Sequence, residues 1–200
     1  MKKILKYLFN PPLFFKKLKF FIIRKLSVKK VTTKDGVFYK YKKILYPEYL
    51  KNGNAAHHIS ELAKSYCKGK GLDIGASKWP LEGAIPVENH ESLNAFKLDK
   101  FKDNSLDFIF SSHCLEHLNN WQEAVDLWIK KINYNGILFL YLPHESMKLW
   151  SPGGPWVEDE HKWVPSYKVI NKYLKSKNLE IIDYNKARDE YYSFHIIAKK

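Results

Sequence analysis

The chain has 200 residues and two cysteines, and 45% of it is hydrophobic. That suffices for one sizeable core, argues against a disordered chain, and leaves too little cysteine for a disulfide framework. The formal net charge of +13 is concentrated: residues 1–51 hold 15 Lys+Arg against Asp35 and Glu48, whereas residues 52–200 balance 19 basic with 19 acidic residues. Charge therefore speaks about the partners of a basic arm, residues 1–51, and not about a main domain, residues 52–200. No run approaches the ~20 apolar residues of a membrane-spanning helix. Lysines also break up the apolar residues where a cleavable signal would have its core. The expected location is the cytosol.

Residues 1–30 interleave bulky apolar residues with lysine, and Pro11-Pro12 divides them into two short helical segments. In the second, Phe15, Leu18, Ile22 and Leu26 share a face, with Phe20 and Ile23 opposite. Three uses fit: a helix packed on the main domain, an interfacial anchor on an anionic membrane at its inner face, or a nucleic-acid arm. Nucleic acid ranks below the membrane, because the apolar residues are mostly aliphatic or Phe at helical spacing. Further on, VTTKDGVFYKY predicts a hairpin turning at Asp35-Gly36.

Asn54 is expected to cap a helix over 55–67 with Ile59, Leu62, Ala63 and Tyr66 inside. His57 and His58 read as surface residues. A strand over 70–74 ends in Gly75-Ala76-Ser77, and a second, over 84–87, ends at Glu88. Residues 96–101 read as a poor third strand. LDFIFSS, 106–112, is apolar throughout, as a strand covered on both faces should be. A helix over 121–132, capped by Asn120, carries Ala124, Val125, Trp128 and Ile132 inward, and Asn135-Gly136 should stop it. Then follow a strand over 137–142, a long irregular loop over 144–165, a helix over 167–175 capped by Ser166, and strands over 179–184 and 192–198. This alternation predicts an α/β layered domain.

LDIGAS, the acidic Glu88 after the second strand, DNSLDFIFSSHCLEHL and NGILFLYLPH stand in a telling order. Together they resemble the class I S-adenosylmethionine-dependent methyltransferases, in particular the type 11 group, over about residues 69–184. The resemblance implies a Rossmann-like, mostly parallel sheet flanked by helices, here preceded by a basic helical and hairpin arm. It implies S-adenosylmethionine as cofactor. Asp73, Gly75, Ala76 and Ser77 would lie under its methionine part, Glu88 would take the ribose hydroxyls, and Asn94 or a neighbour would sit by the adenine. Ser111, Ser112 and His113 would line the pocket beside the reactive methyl. The chain departs from the family's G-x-G-x-G loop, with Ser77 and Trp79 in place of the later glycines. The link from Gly75 to Glu88 is also short for a crossover containing a helix, which takes ~10–12 residues or more. That helix is expected to be a stub or absent.

Titratable residues gather near the expected strand ends, where ligands of open α/β sheets bind. Methyl transfer to oxygen gains from a general base, and His113, His144 and His161 are the candidates. Positioning alone, with no base, is the alternative. His113-Cys114-Leu115-Glu116-His117 spells H-x-x-E-H, a zinc-peptidase pattern. That pattern needs both histidines on one helix, whereas His113 follows a strand, so no metal is expected. The reading is methyl transfer to a small-molecule or glycan acceptor, with Trp150, Trp156 and Trp163 in the acceptor pocket. Residues 1–30 would bring the enzyme to a lipid-linked acceptor at a membrane surface. The rivals are a catalytically inactive binding module and an RNA-directed methyltransferase.

Overall fold

A computed structural model describes residues 11–200. The helical segment expected before Pro11 lies outside the described residues. The chain divides into two compact units: residues up to Gly53 with Leu149–Glu160, and Asn54–Lys148 with His161–Lys200.

The first unit opens with helix α1 (Pro11–Ser27), which starts on the proline pair, where a missing N–H costs nothing. Lys17, Phe20, Ile23 and Ser27 are its partly buried positions, at helical spacing. The apolar face read from the sequence, Phe15, Leu18, Ile22 and Leu26, is exposed. Both sides of this helix are apolar, so periodicity could not tell which would be covered. Packing against β1 decided it. Lys16 pairs with Asp159 and Lys17 with Glu158, joining α1 to Leu149–Glu160. Strands β1 (Val28–Thr33), β2 (Gly36–Tyr41) and β3 (Ile44–Pro47) form an antiparallel sheet in that order. The expected hairpin forms, but Thr33 pairs with Gly36, so its turn is Lys34-Asp35, one position before the expected Asp35-Gly36, and a third strand extends it. The Trp156 ring meets Tyr39 edge-on at 5.4 Å.

The second unit is built on a six-stranded sheet. Helix α2 (Ala55–Tyr66) begins at Asn54, whose side chain accepts the His57 N–H at 3.3 Å. Strands β4 (Gly71–Ile74), β5 (Ile85–Val87), β6 (Leu106–Ser112), β7 (Ile132–Pro143), β8 (Glu180–Asn185) and β9 (Ser193–Lys199) lie in the order β5-β4-β6-β7-β9-β8. The first four are mutually parallel, and β9 runs antiparallel to both its neighbours. Helices α3 (Trp121–Lys131) and α4 (Tyr167–Ser176) complete the layers. α3 packs on β7, α4 on β8 and β9, and α2 on β6 and β7.

One core joins Leu72, Ile109, Leu138, Leu140, Phe194 and Ile196 of the sheet to Trp121, Val125 and Trp128 of α3 and Ile170 and Leu174 of α4. The alternate strand residues Phe108, Phe110, Phe139 and Tyr141 are also buried, on the other face, as period-two alternation requires. The parallel sheet is thus covered on both sides.

Three expectations fail. Residues 96–101 form turns and an isolated bridge in place of a strand, although Leu98 is fully buried. Asn120 makes no capping bond through its side chain, which reaches Glu123. The α3 helix ends at Lys131 and β7 starts at once, so Asn135, at φ +66°, and Gly136 lie inside an irregular strand and do not stop a helix. As expected, no helix joins β4 to β5.

Trp128 is fully buried and donates its Nε1–H to the Ala95 carbonyl at 2.8 Å, pinning the helix-free segment after β5 to α3. Trp128→Ala is expected to lower stability by ~3–5 kcal/mol, read as a lower urea midpoint by circular dichroism.

Candidate functional site

Because β4, β5, β6 and β7 are parallel, their C-terminal ends open on one edge, the usual ligand edge of such sheets. At the end of β4, Asp73 is buried, and its Oδ2 accepts the Leu81 N–H at 2.7 Å. That bond draws the Gly75-to-Ala84 loop back over the strand. Gly75 has φ +84° and donates its N–H to the Val87 carbonyl at 2.9 Å. A Cβ on Gly75 would stand 2.5 Å from Cβ of Cys114 and 2.7 Å from its Sγ. The loop after β4 and the segment after β6 are therefore in close contact, and only glycine fits between them. Ala76 is buried, and the Ser77 N–H donates to the Glu88 carboxylate. Glu88 itself is exposed at the end of β5.

Ser111 is buried and donates its hydroxyl to the Ile74 carbonyl at 2.9 Å, fastening β6 to β4. Asn94 uses both ends of its amide locally, donating to the His90 carbonyl at 2.8 Å and accepting the Phe96 N–H at 2.9 Å.

His113 follows β6 at φ +48° and donates its N–H to the Tyr141 carbonyl at 2.9 Å. Its Nε2 lies 2.7 Å from Ser193 Oγ, and that hydroxyl donates to the Tyr191 carbonyl. This network assigns the ring proton to Nε2. Asp189 anchors it, accepting the Tyr141 hydroxyl at 2.6 Å and the Ser193 N–H at 2.8 Å. Burial lowers His113 to about 3, with the neighbouring histidines adding to the shift, so the imidazole is neutral. On the other side, His113 Nδ1 lies 3.7 Å and His161 Nε2 3.8 Å from Glu116 Oε1. Two of the three expected base candidates thus flank one carboxyl. His144 sits apart from them at the end of β7, its Nδ1 2.9 Å from Ser146 Oγ and its ring edge-on to Phe194. Burial lowers its pKa as well.

The tryptophans of the long loop are divided between the two units. Trp163 stacks on Trp121 at 4.9 Å and donates its Nε1–H to the Leu115 carbonyl, so one face and its donor are taken. Trp150 and Trp156 belong to the segment of the first unit. Sequence reasoning missed Tyr141, Asp189 and Ser193, which meet through the β7–β9 pairing and carry no local signature. It read Glu116 and His117 as part of a pattern without giving them roles.

Two polar atoms at this edge test whether a cofactor of the S-adenosylmethionine type fits. Asp73 Oδ1 and Ser112 Oγ are buried and take no hydrogen bond from the described residues. Such atoms call for a partner, and they lie at the ends of adjacent strands, beside the Gly75 loop. The residues fit a hydrogen-bond donor such as the ammonium of the amino-acid part of that cofactor. Glu88, with one oxygen on the Ser77 amide and the residue exposed, fits a ribose.

Burial raises Asp73 to about 7, against the pull of the Leu81 N–H, and Glu88 adds to the rise. The folded state therefore holds a proton that the unfolded chain releases near pH ~4. Stability should fall as pH rises from about 4 to about 7 and level off above. Asp73→Asn keeps the acceptor for Leu81 and cannot ionise. Its denaturation midpoint should lack that fall when both proteins are melted across the range without cofactor.

Residues 54–140 match the family model described as a methyltransferase domain. No curated protein matches the chain. Among solved structures, a SAM-dependent methyltransferase from Archaeoglobus fulgidus superposes at TM-score 0.52 and 20% identity, over 76% of this chain and 97% of that one. A second from Mesorhizobium loti does so at TM-score 0.55 and 12% identity, over 75% and 100%. The 1,6-didemethyltoxoflavin-N1-methyltransferase of Burkholderia thailandensis, solved with that compound and S-adenosylhomocysteine, gives TM-score 0.52 and 13% identity, over 76% and 81%. These likenesses speak to the fold. Together with the match over residues 54–140, they identify in this chain a methyltransferase domain of the type 11 group with the fold of S-adenosylmethionine-dependent methyltransferases.

Proposed function

We propose that this enzyme methylates a small-molecule or glycan acceptor carried on lipid, working at an anionic membrane surface. The observation that carries the reading is α1. Phe14, Phe15, Leu18, Phe21, Ile22 and Leu26 are all exposed on one short helix, among Lys19 and Lys25. Such a helix can bury its apolar side chains at the headgroup boundary while its lysines meet anionic lipid, each adding roughly 1 kcal/mol. In the same unit, a cavity of about 450 Å³ is lined by Ser27, Lys29, Lys40, Tyr41 and Lys42, a setting for phosphate headgroups. Among the described residues, no helix is long and apolar enough to cross a membrane, so attachment would be interfacial. The balanced charge of residues 52–200 favours an acceptor that is not an anionic polymer.

When bound, the cofactor supplies a methyl group on a sulfonium. In the proposed site Asp73, Ser112 and the Gly75–Ser77 backbone hold its amino-acid end, and Glu88 takes the ribose hydroxyls. Asn94 would approach the adenine through its turn, since its side-chain amide is engaged. Of the three histidines expected as bases, His113 adjoins the cofactor loop, because Cys114 next to it packs on Gly75. A neutral imidazole held by Ser193 would orient the acceptor. Its lowered pKa favours positioning over strong base catalysis.

Titration calorimetry with S-adenosylhomocysteine tests the cofactor part. Glu88→Ala should weaken binding about tenfold or more, the loss of a charged hydrogen bond, and unchanged affinity would overturn the Glu88 assignment. For the membrane part, flotation with phosphatidylserine vesicles should recover the protein. The combined change of Lys19, Lys25 and Lys29 to Glu should abolish recovery. Equal recovery of both proteins removes the membrane reading, and salt-sensitive binding to RNA in its place favours the nucleic-acid alternative.

A further inference from the structure

We propose that Glu116, His117 and His161 form a binding site for a divalent cation of the zinc class. The first observation is Glu116. It is fully buried, and neither carboxylate oxygen takes a hydrogen bond from the described residues. Isolated buried carboxylates are costly and normally have a donor or a metal as partner. The second observation is geometry. One donor atom from each of Glu116, His117 and His161 lies within 4.8 Å of the other two. The His117 and His161 rings meet edge to face at 4.5 Å between centroids.

Ligand bonds of ~2.0–2.2 Å in a tetrahedral site put donor atoms ~3.3–3.6 Å apart. His161 Nε2 and Glu116 Oε1 are already at 3.8 Å, so small side-chain rotations would close the set. Two imidazoles and one carboxylate form the donor set of open zinc sites. Imidazole favours zinc-class ions over magnesium or calcium, which prefer all-oxygen cages.

The backbone around the site is built to hold it. Glu116 and His117 come from the single 3-10 turn Leu115–His117, directly after β6. His161 comes from far along the chain and is clamped to that turn by its neighbours. The Lys162 N–H donates to the Glu116 carbonyl at 2.8 Å, and Trp163 Nε1–H to the Leu115 carbonyl at 3.0 Å. His161 is buried while His117 is exposed, so the cluster reaches the surface at His117, where water could supply a fourth ligand.

This is not the H-x-x-E-H helix of a peptidase. His113 is held by Ser193 through Nε2 and stands outside the donor set. The site gives the turn after β6 a second tie to the loop at His161, independent of the acceptor reading.

The test uses full-length protein stripped with chelator and dialysed. Zinc added alone, followed by calorimetry, should bind at one equivalent and raise the melting temperature. Cobalt added alone should give the visible absorption of a four-coordinate nitrogen and oxygen site. Glu116→Gln and His161→Ala should each weaken binding about tenfold or more, whereas His57→Ala on the surface of α2 should not. Absence of binding to the folded wild type overturns the proposal, as does zinc affinity unchanged in both site variants. Should a variant fail to fold, the wild-type stoichiometry and cobalt spectrum still decide. S-adenosylhomocysteine affinity, measured alongside, separates this result from failure of the cofactor assignment.

Discussion

Everything at the candidate site hangs on β6 being held between two parallel neighbours. β4 pairs with it on one side and β7 on the other, and Ser111 adds a side-chain bond to the Ile74 carbonyl. Gly71 makes the β4 approach feasible, since a Cβ there would run into the Phe108 ring. With strands this close and their directions matched, the segments that leave them must emerge together. The Gly75 loop, Glu88, Ser112 and the HCLEH turn are neighbours for that reason alone.

The fold reaches this edge with little helical support on one flank. No helix connects β4 to β5 or β5 to β6. Hydrogen bonds from side chains stand in: Asp73 holds the Leu81 amide, Glu88 the Ser77 amide, and Trp128 the Ala95 carbonyl. Two of these groups are acids at the site itself. The loop geometry and the local electrostatics are therefore one system, and a change to either acid alters both. Beyond β6, the network from Tyr141 through Asp189 and Ser193 to His113 fixes an imidazole in one orientation. His161 and Glu116 form a separate cluster on its other side.

Most strands and helices were legible because their residues are patterned. LDFIFSS was bounded to the residue, and α2 and α4 came with working caps in Asn54 and Ser166. Residues 96–101 misled because Phe96, Leu98 and Phe101 look like a strand, whereas Leu98 and Phe101 plug the core from a turn-rich segment and Phe96 is exposed. In α1, apolar residues on both sides leave the choice of buried face to the packing partner, so periodicity alone left it open. Asn135-Gly136 looked like a helix stop, but a strand can absorb the same left-handed residue as an irregularity.

Composition by itself determined that the charge belongs to the arm. Local spacing determined the α/β alternation, the short link after β4 and the identity of the residues at the strand ends. Those properties depend on neighbours along the chain. What the tertiary structure decided depends on residues far apart in sequence. It brought His161 to Glu116 across 44 intervening positions and spent one face of Trp163 on Trp121. It joined Leu149–Glu160 to the arm and left a buried carboxylate without a donor among the described residues. No local pattern encodes such meetings, because they are fixed by which strands pair and which loops must then share an edge.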